Sequence, residues 1–184
     1  MTEIFFKKAY GFLFIGFLYR EIEQKSGVYM KRGIAFKIPN DYGKVLGNLL
    51  KPFNTETFHW YIGGEESYFI QNDTLGEALF HEEIYGMDGR ALKELLDNNE
   101  YYIIFANFKA FPKEKDVIDV QTYEDFLNSD CQLVLLVVDC EYATVYCKDQ
   151  RMLEALCHNA ISNGYDDVQY ITNENDFRTR LSVW

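Results

Sequence analysis

The sequence is poor in the residues from which catalytic and metal centres are usually built. It has three histidines in 184 residues, and none stands in the H-E-x-x-H spacing that sets two imidazoles on one helical face. Its four cysteines, Cys131, Cys140, Cys147 and Cys157, form no C-x-x-C and no pair at zinc-ribbon spacing. Cys157, on the apolar face of an expected helix, and Cys147, in an expected strand, read as small buried hydrophobes, and reduced thiols in a cytoplasmic protein fit best. No cofactor and no metal is therefore expected. There is no G-x-S-x-G elbow, and Gly63-Gly64 is followed by Glu65 and Glu66 instead of G-K-[ST], so acyl-transfer and phosphate-loop chemistry both lack their motif.

Positive charge is also scarce. Lys and Arg number 18 against 29 Asp and Glu, a net charge of -11. Such a surface repels phosphate backbones, which argues against nucleic-acid binding, and steers a basic protein inward. The apolar run Ala9–Tyr19 is too short to span a bilayer, and no small-x-small cleavage site follows it. Stable membrane insertion is not expected.

What is present is a folding composition: 48% hydrophobic and 17% aromatic residues with no low-complexity tract. Residues 1–29 stand apart as an atypical apolar leader. They carry four Lys/Arg against three Asp/Glu, whereas the remainder is strongly acidic, and the break falls at Met30. An interfacial anchor, an element packed on the body and an extension from a misplaced start codon all fit, the last best.

From Met30 the pattern predicts an α+β domain over 30–184, a mixed, largely antiparallel sheet packed with helices. Ile34, Phe36 and Ile38 alternate as in a half-buried strand. Tyr42, Val45, Leu46, Leu49, Leu50 and Phe53 recur at helical spacing. Phe58–Ile62 and Ser67–Gln71 read as a hairpin around Gly63-Gly64. Thr74 and Glu77 suggest a capped helical turn. Asp88 caps a helix, and a strand Tyr101–Phe108 follows. Past a charged connector, 111–116, the order repeats: strand Val117–Val120, a helix capped by Thr122, strands Leu133–Val138 and Tyr142–Cys147, a helix through Met152, Leu156, Ala160 and Ile161, and strand Val168–Ile171. A last element capped by Asn173 packs Phe177 and Leu181. The two halves, 30–112 and 113–184, each read β-α-β-β-α-β, either as two ferredoxin-like units side by side or as one continuous sheet.

Candidate sites are few. Asp139 ends the apolar run Leu133–Val138, where a tight turn explains it better than a ligand crevice does. His81, Glu82 and Glu83 could supply a base, with His59, Glu65 and Glu66 converging on them, although a solvated acidic loop is the simpler account. Trp60 and its aromatic neighbours on the expected hairpin could form a binding face.

The stretch MKRGIAFKIPNDYGKVLGNLL, followed by FHWYIGGEESYFI, resembles an uncharacterised family of small acidic proteins from Bacillus-type bacteria, defined only as a domain of unknown function. The resemblance covers Met30–Trp184. It implies a start at Met30 and a cytoplasmic address, and it carries no activity, cofactor or catalytic residue to any position. The expectation for function is a non-catalytic protein-binding chain, an immunity- or antitoxin-like inhibitor of a basic partner. A small enzyme with a His/Glu cleft and a ligand sensor built on the aromatic hairpin are the alternatives.

Overall fold

Alternation of apolar and polar residues sets the frame of the molecule, a computed structural model that describes residues 30–63 and 66–183. Strand β1 (Gly33–Lys37) buries Ile34 and Phe36 on one face. It lies between β9 (Tyr142–Cys147) and β10 (Asp166–Ile171). Beyond β9 come β8 (Leu133–Val138), β7 (Ala106–Phe111), β2 (His59–Gly63) and β5 (Ile84–Asp88). These seven strands form one sheet in the order β10-β1-β9-β8-β7-β2-β5. A second sheet has three strands, β4 (Thr74–Ala78), β3 (Ser67–Gln71) and β6 (Tyr101–Ile103), in the order β4-β3-β6. Every pairing between the described strands is antiparallel. The large sheet draws strands from both sides of residue 112, and antiparallel sheets packed with helices are the expected α+β fold.

Among the described residues four α-helices complete the fold: α1 (Val45–Leu50), α2 (Gly89–Asn98), α3 (Tyr123–Asn128) and α4 (Gln150–Ser162). Three start on side-chain caps. Asp88 accepts from the amides of Arg90 and Ala91, Asp149 from those of Arg151 and Met152, and Thr122 with Asp125 forms a reciprocal capping box. Leu46 and Leu49 of α1, Leu92 and Leu96 of α2, and Leu153, Leu156 and Ala160 of α4 pack on one face of the large sheet in the principal core. The opposite face is covered by coil and by α3: Val117, Val120, Phe126, Leu181 and Val183 pack against Tyr61, Val134, Leu136 and Tyr146.

Several local expectations are corrected. β2 and β3 do not form a hairpin, because β2 joins the seven-stranded sheet and β3 the three-stranded one. The hairpin partner of β3 is β4, joined through Asn72 and Asp73, both at positive φ as a tight two-residue turn demands. Thr74–Ala78 is therefore strand and not a helical turn. The apolar run expected as one strand, Tyr101–Phe108, crosses between sheets at Ile104 and Phe105. Helix α1 begins at Val45 without a side-chain cap and leaves Tyr42 45% exposed. Val117–Val120 is coil, and the segment after Asn173 forms no helix, with Phe177 exposed and Leu181 buried. Ile161 faces solvent, so the inward stripe of α4 ends at Ala160. Asp139 is a turn residue, at positive φ with Cys140 between β8 and β9. The atypical apolar leader expected over residues 1–29 lies outside the described residues.

Candidate functional site

Residues paired across antiparallel ladders line up in rows perpendicular to the strands. One row on the coil-covered face takes a residue from each of the seven strands: Ile171, Gly33, Tyr146, Val134, Lys109, Tyr61 and Tyr85. Glycine at position 33 is what lets β1 close up on β9, since a Cβ there would stand 2.2 Å from the carbonyl oxygen of Val145. Polar groups gather toward both ends of this row.

At one end is Lys109, a lysine in the middle of a buried strand and itself 0% exposed. Its ammonium pairs with the Asp119 carboxylate, which also accepts from the Gln121 amide, and lies 5.1 Å from the centroid of the Tyr61 ring. Burial pulls the Lys109 amine below its ordinary range, against the opposing hold of Asp119. The Tyr61 hydroxyl donates to Glu83 at 3.0 Å and the Tyr85 hydroxyl to the same carboxylate at 3.2 Å, with the two rings edge to face at 5.0 Å. Burial, with Asp119 and Glu83 nearby, holds the Tyr61 hydroxyl well above the usual phenol range, so it stays a donor.

This arrangement anchors better than it reacts. A lysine nucleophile must meet its substrate, and the Lys109 side chain has no solvent-facing surface. Tyr85, by contrast, is 58% exposed on the outermost strand, and its neighbours Glu82 and Glu83 face solvent. Gly86 supplies the extra residue of a bulge between the pairs Trp60–Met87 and Tyr61–Tyr85, with φ +91. The side chain of Glu114 packs against it, 2.9 Å from where a Cβ would stand. Near the other end of the row, Asp176 accepts from the Tyr146 hydroxyl at 3.2 Å and from Arg32 at 3.4 Å, and Arg32 lies over the Tyr123 ring.

The residues singled out in the sequence scatter. Trp60 is fully buried in the principal core, its indole N–H donating to the Thr55 carbonyl at 3.2 Å, so it offers no binding face. Glu65 lies outside the described residues. Glu66 is exposed, and its carbonyl accepts from the amides of Ile104 and Phe105, where the chain crosses between sheets. His81, Glu82 and Glu83 are exposed at the end of the β2–β5 ladder where Ile62 pairs with Ile84. His59 pairs with Asp88 at the opposite end, roughly 10 Å along the strand. Among the described residues no three His, Cys, Asp or Glu are grouped to hold a metal ion, and no helix is long and apolar enough to cross a membrane. Sequence reasoning missed Lys109, Asp119 and Tyr85, and took Tyr61 only as one of the aromatics of the expected hairpin. The available signal was a lone lysine inside the otherwise apolar stretch Phe108–Phe111.

Comparison with known proteins places the chain in a family without assigning it an activity. No solved structure matches the chain. It is 43% identical over 155 residues to "Uncharacterized protein YncE" of Bacillus subtilis (strain 168), an alignment that covers 84% of this chain and 100% of that protein. Residues 31–182 match the family described as "Protein of unknown function (DUF2691)", and the chain belongs to that family.

Proposed function

We propose that residues 30–184 act as one cytoplasmic, non-catalytic protein-binding domain, an inhibitor of the immunity or antitoxin kind, which holds a basic partner on the acidic edge around Tyr85. The observation that carries this reading is Tyr85 itself. It is 58% exposed, yet its hydroxyl is tied to Glu83 and its ring rests on Tyr61, which is fixed in turn by the buried Lys109. A large aromatic side chain held in one place in the free protein costs little further entropy on binding, the property expected of an interface anchor. Its neighbours Glu82, Glu83 and Glu114 supply negative charge for a partner's arginines or lysines, and the ring face suits a cation. Contact is by side chains: the bulge at Gly86 breaks the regular edge that an added strand would need.

The test is capture from the native cytosol on the full chain, at low and moderate salt, with the retained protein identified by mass spectrometry. A basic protein is expected in stoichiometric amount, with affinity that falls as salt rises. It should be lost on Tyr85→Ala and on the double change Glu82→Lys with Glu114→Lys. Retention that is indifferent to both variants, or no retention at either salt, overturns the proposal.

A further inference from the structure

Between α1, the turn that follows it and α2 lies a hollow of about 400 Å³, within the size range of small-molecule sites. Its lining includes the apolar Leu50, Phe53 and Leu96, three lysines, Lys44, Lys51 and Lys93, and one acid, Asp97. Nine lysines occur from residue 30 onward in a chain of net charge -11, and three of them meet at this one concavity.

The lining is built. Gly47 lets α1 approach α2, since a Cβ there would stand 3.2 Å from the Leu96 carbonyl oxygen and 2.9 Å from the Asp97 carboxylate. That approach brings the Lys44 ammonium to the backbone carbonyl of Asp97, to which it donates at 2.6 Å. The neutral contact fixes Lys44 in place and leaves its charge uncompensated. Lys93 pairs with Asp97 at 2.5 Å and stands 4.0 Å from Glu56, so the two nearby carboxylates serve one of the three lysines. Lys51 makes no ion pair or hydrogen bond among the described residues. Ammonium groups gathered around one hollow repel one another, and an anion placed between them removes that repulsion.

We propose that this hollow is a binding site for a small organic anion, a molecule with a phosphate or carboxylate group held by Lys44 and Lys51 and an apolar body resting on Leu50 and Phe53. The Asn48 side chain, which also lines the hollow, supplies a neutral donor beside the charge. The site lies on α1 and α2, apart from the Tyr85 edge, and does not depend on the partner proposed for that edge.

Three probes distinguish the features: inorganic phosphate, phenyl phosphate and benzoate, titrated into the full chain at constant ionic strength and followed by amide chemical shifts. Saturable shifts are expected at Gly47, Asn48, Lys51, Leu96 and Asp97. Phenyl phosphate should bind several-fold more tightly than phosphate, because only it covers the apolar lining. Lys51→Ala should weaken binding about 10-fold, the loss of one charge-assisted contact, while Lys113→Ala, an exposed lysine elsewhere, should leave it unchanged. Shifts that never saturate with any probe, or that weaken equally in both variants, would show charge screening in place of a site and overturn the proposal. Saturable binding of phenyl phosphate that maps to other amides would overturn it as well.

Discussion

Lys109 on β7 stands directly opposite Tyr61 on β2, and the lysine ammonium lies 5.1 Å from the centre of the tyrosine ring, in contact with Asp119 on its other side. A fully buried strand, ANFKAF, thus carries a charge under the aromatic pair that ends in the exposed Tyr85. The ion pair is asymmetric: the lysine side chain is 0% exposed and the aspartate 21%. Removing either partner strands the other, but only Asp119 can recover water.

That asymmetry predicts an order of effects. Lys109→Met keeps the apolar stem and leaves Asp119 to rehydrate, and should cost about 2 kcal/mol. Asp119→Asn leaves the ammonium buried without its counterion and should cost about 3 to 5 kcal/mol, as for a broken buried pair. The double variant should cost less than the two added together. Urea unfolding of the four proteins at neutral pH checks this. Equal costs for the two single variants would show that the difference in burial does not govern the pair.

The legible part of the fold was the part governed by local rules. The stripe Leu153, Leu156, Ala160 behind the Asp149 cap, the Thr122–Asp125 box and the apolar strands β8 and β9 follow from periodicity and capping alone. The partition into two sheets was not legible. Tyr101–Phe111 is apolar nearly throughout, and nothing local marks Ile104-Phe105 as the point where the chain leaves one sheet for the other. β4 (TLGEA) and β5 (IYGMD) each contain a glycine, a poor strand former, and acquire strand structure from their partners. The site failed for a related reason. Lys109 is paired by a residue in coil ten positions on, and Glu83 matters through its bonds to Tyr61 and Tyr85 and not through the neighbouring histidine.

Alkali should loosen the protein from about pH 9 upward. Burial pushes the Cys131 thiol up to about 12 and the Cys147 thiol to about 11, from 9.0 in each case. Burial likewise raises the Tyr61, Tyr101 and Tyr146 hydroxyls. A group whose value is raised on folding lends stability fully below its unfolded value and loses it as pH climbs through the folded one. Lys109 and Lys148, whose values burial lowers, act in the opposite sense below 10.5 but are two groups against these five. Urea midpoints should therefore be flat from pH 7 to 8.5 and fall above pH 9. Cys131→Ala should make that fall shallower, at some cost in packing. A midpoint that rises between pH 9 and 10.5 would place Lys109 and Lys148 in control instead.

Gly33→Ala should be among the most damaging single changes. The added methyl would meet the Val145 carbonyl at 2.2 Å and the Val145 carbonyl carbon at 3.1 Å, both backbone atoms of the neighbouring strand. No side-chain rotation relieves such a clash, so β1 must separate from β9 in the middle of the sheet. A cost of about 3 kcal/mol or more is expected. Gly76→Ala, on β4, is the comparison: its nearest neighbours are the side-chain carbons of Gln71 at 3.0 and 3.1 Å, which can move aside. Thermal unfolding of both variants should show a large fall in midpoint for the first and a small one for the second.

The C-terminal segment should come loose when Asp176 is removed. Its carboxylate accepts from the Tyr146 hydroxyl at 3.2 Å, from Arg32 at 3.4 Å and from the Arg178 amide at 3.1 Å, and so ties the end of the chain to β9 and to the start of β1. Past it, the Leu181 amide donates to the Gln121 carbonyl at 2.7 Å and holds the covering coil in place. Asp176→Ala deprives the buried Tyr146 hydroxyl of its acceptor, which costs about 1 to 3 kcal/mol. Tyr146→Phe removes the donor and leaves Asp176 to Arg32 and the Arg178 amide, which should cost about 1 kcal/mol, and the double variant should cost less than Asp176→Ala with Tyr146→Phe added. Hydrogen exchange separates the local effect from the global one. In Asp176→Ala, the amides of Arg178 and Leu181 should exchange faster by more than the loss of global stability explains, while Leu135 and Val145 in the sheet centre should follow the global change alone. Uniform acceleration across all four would mean that the carboxylate supports the whole sheet and not the segment that covers it.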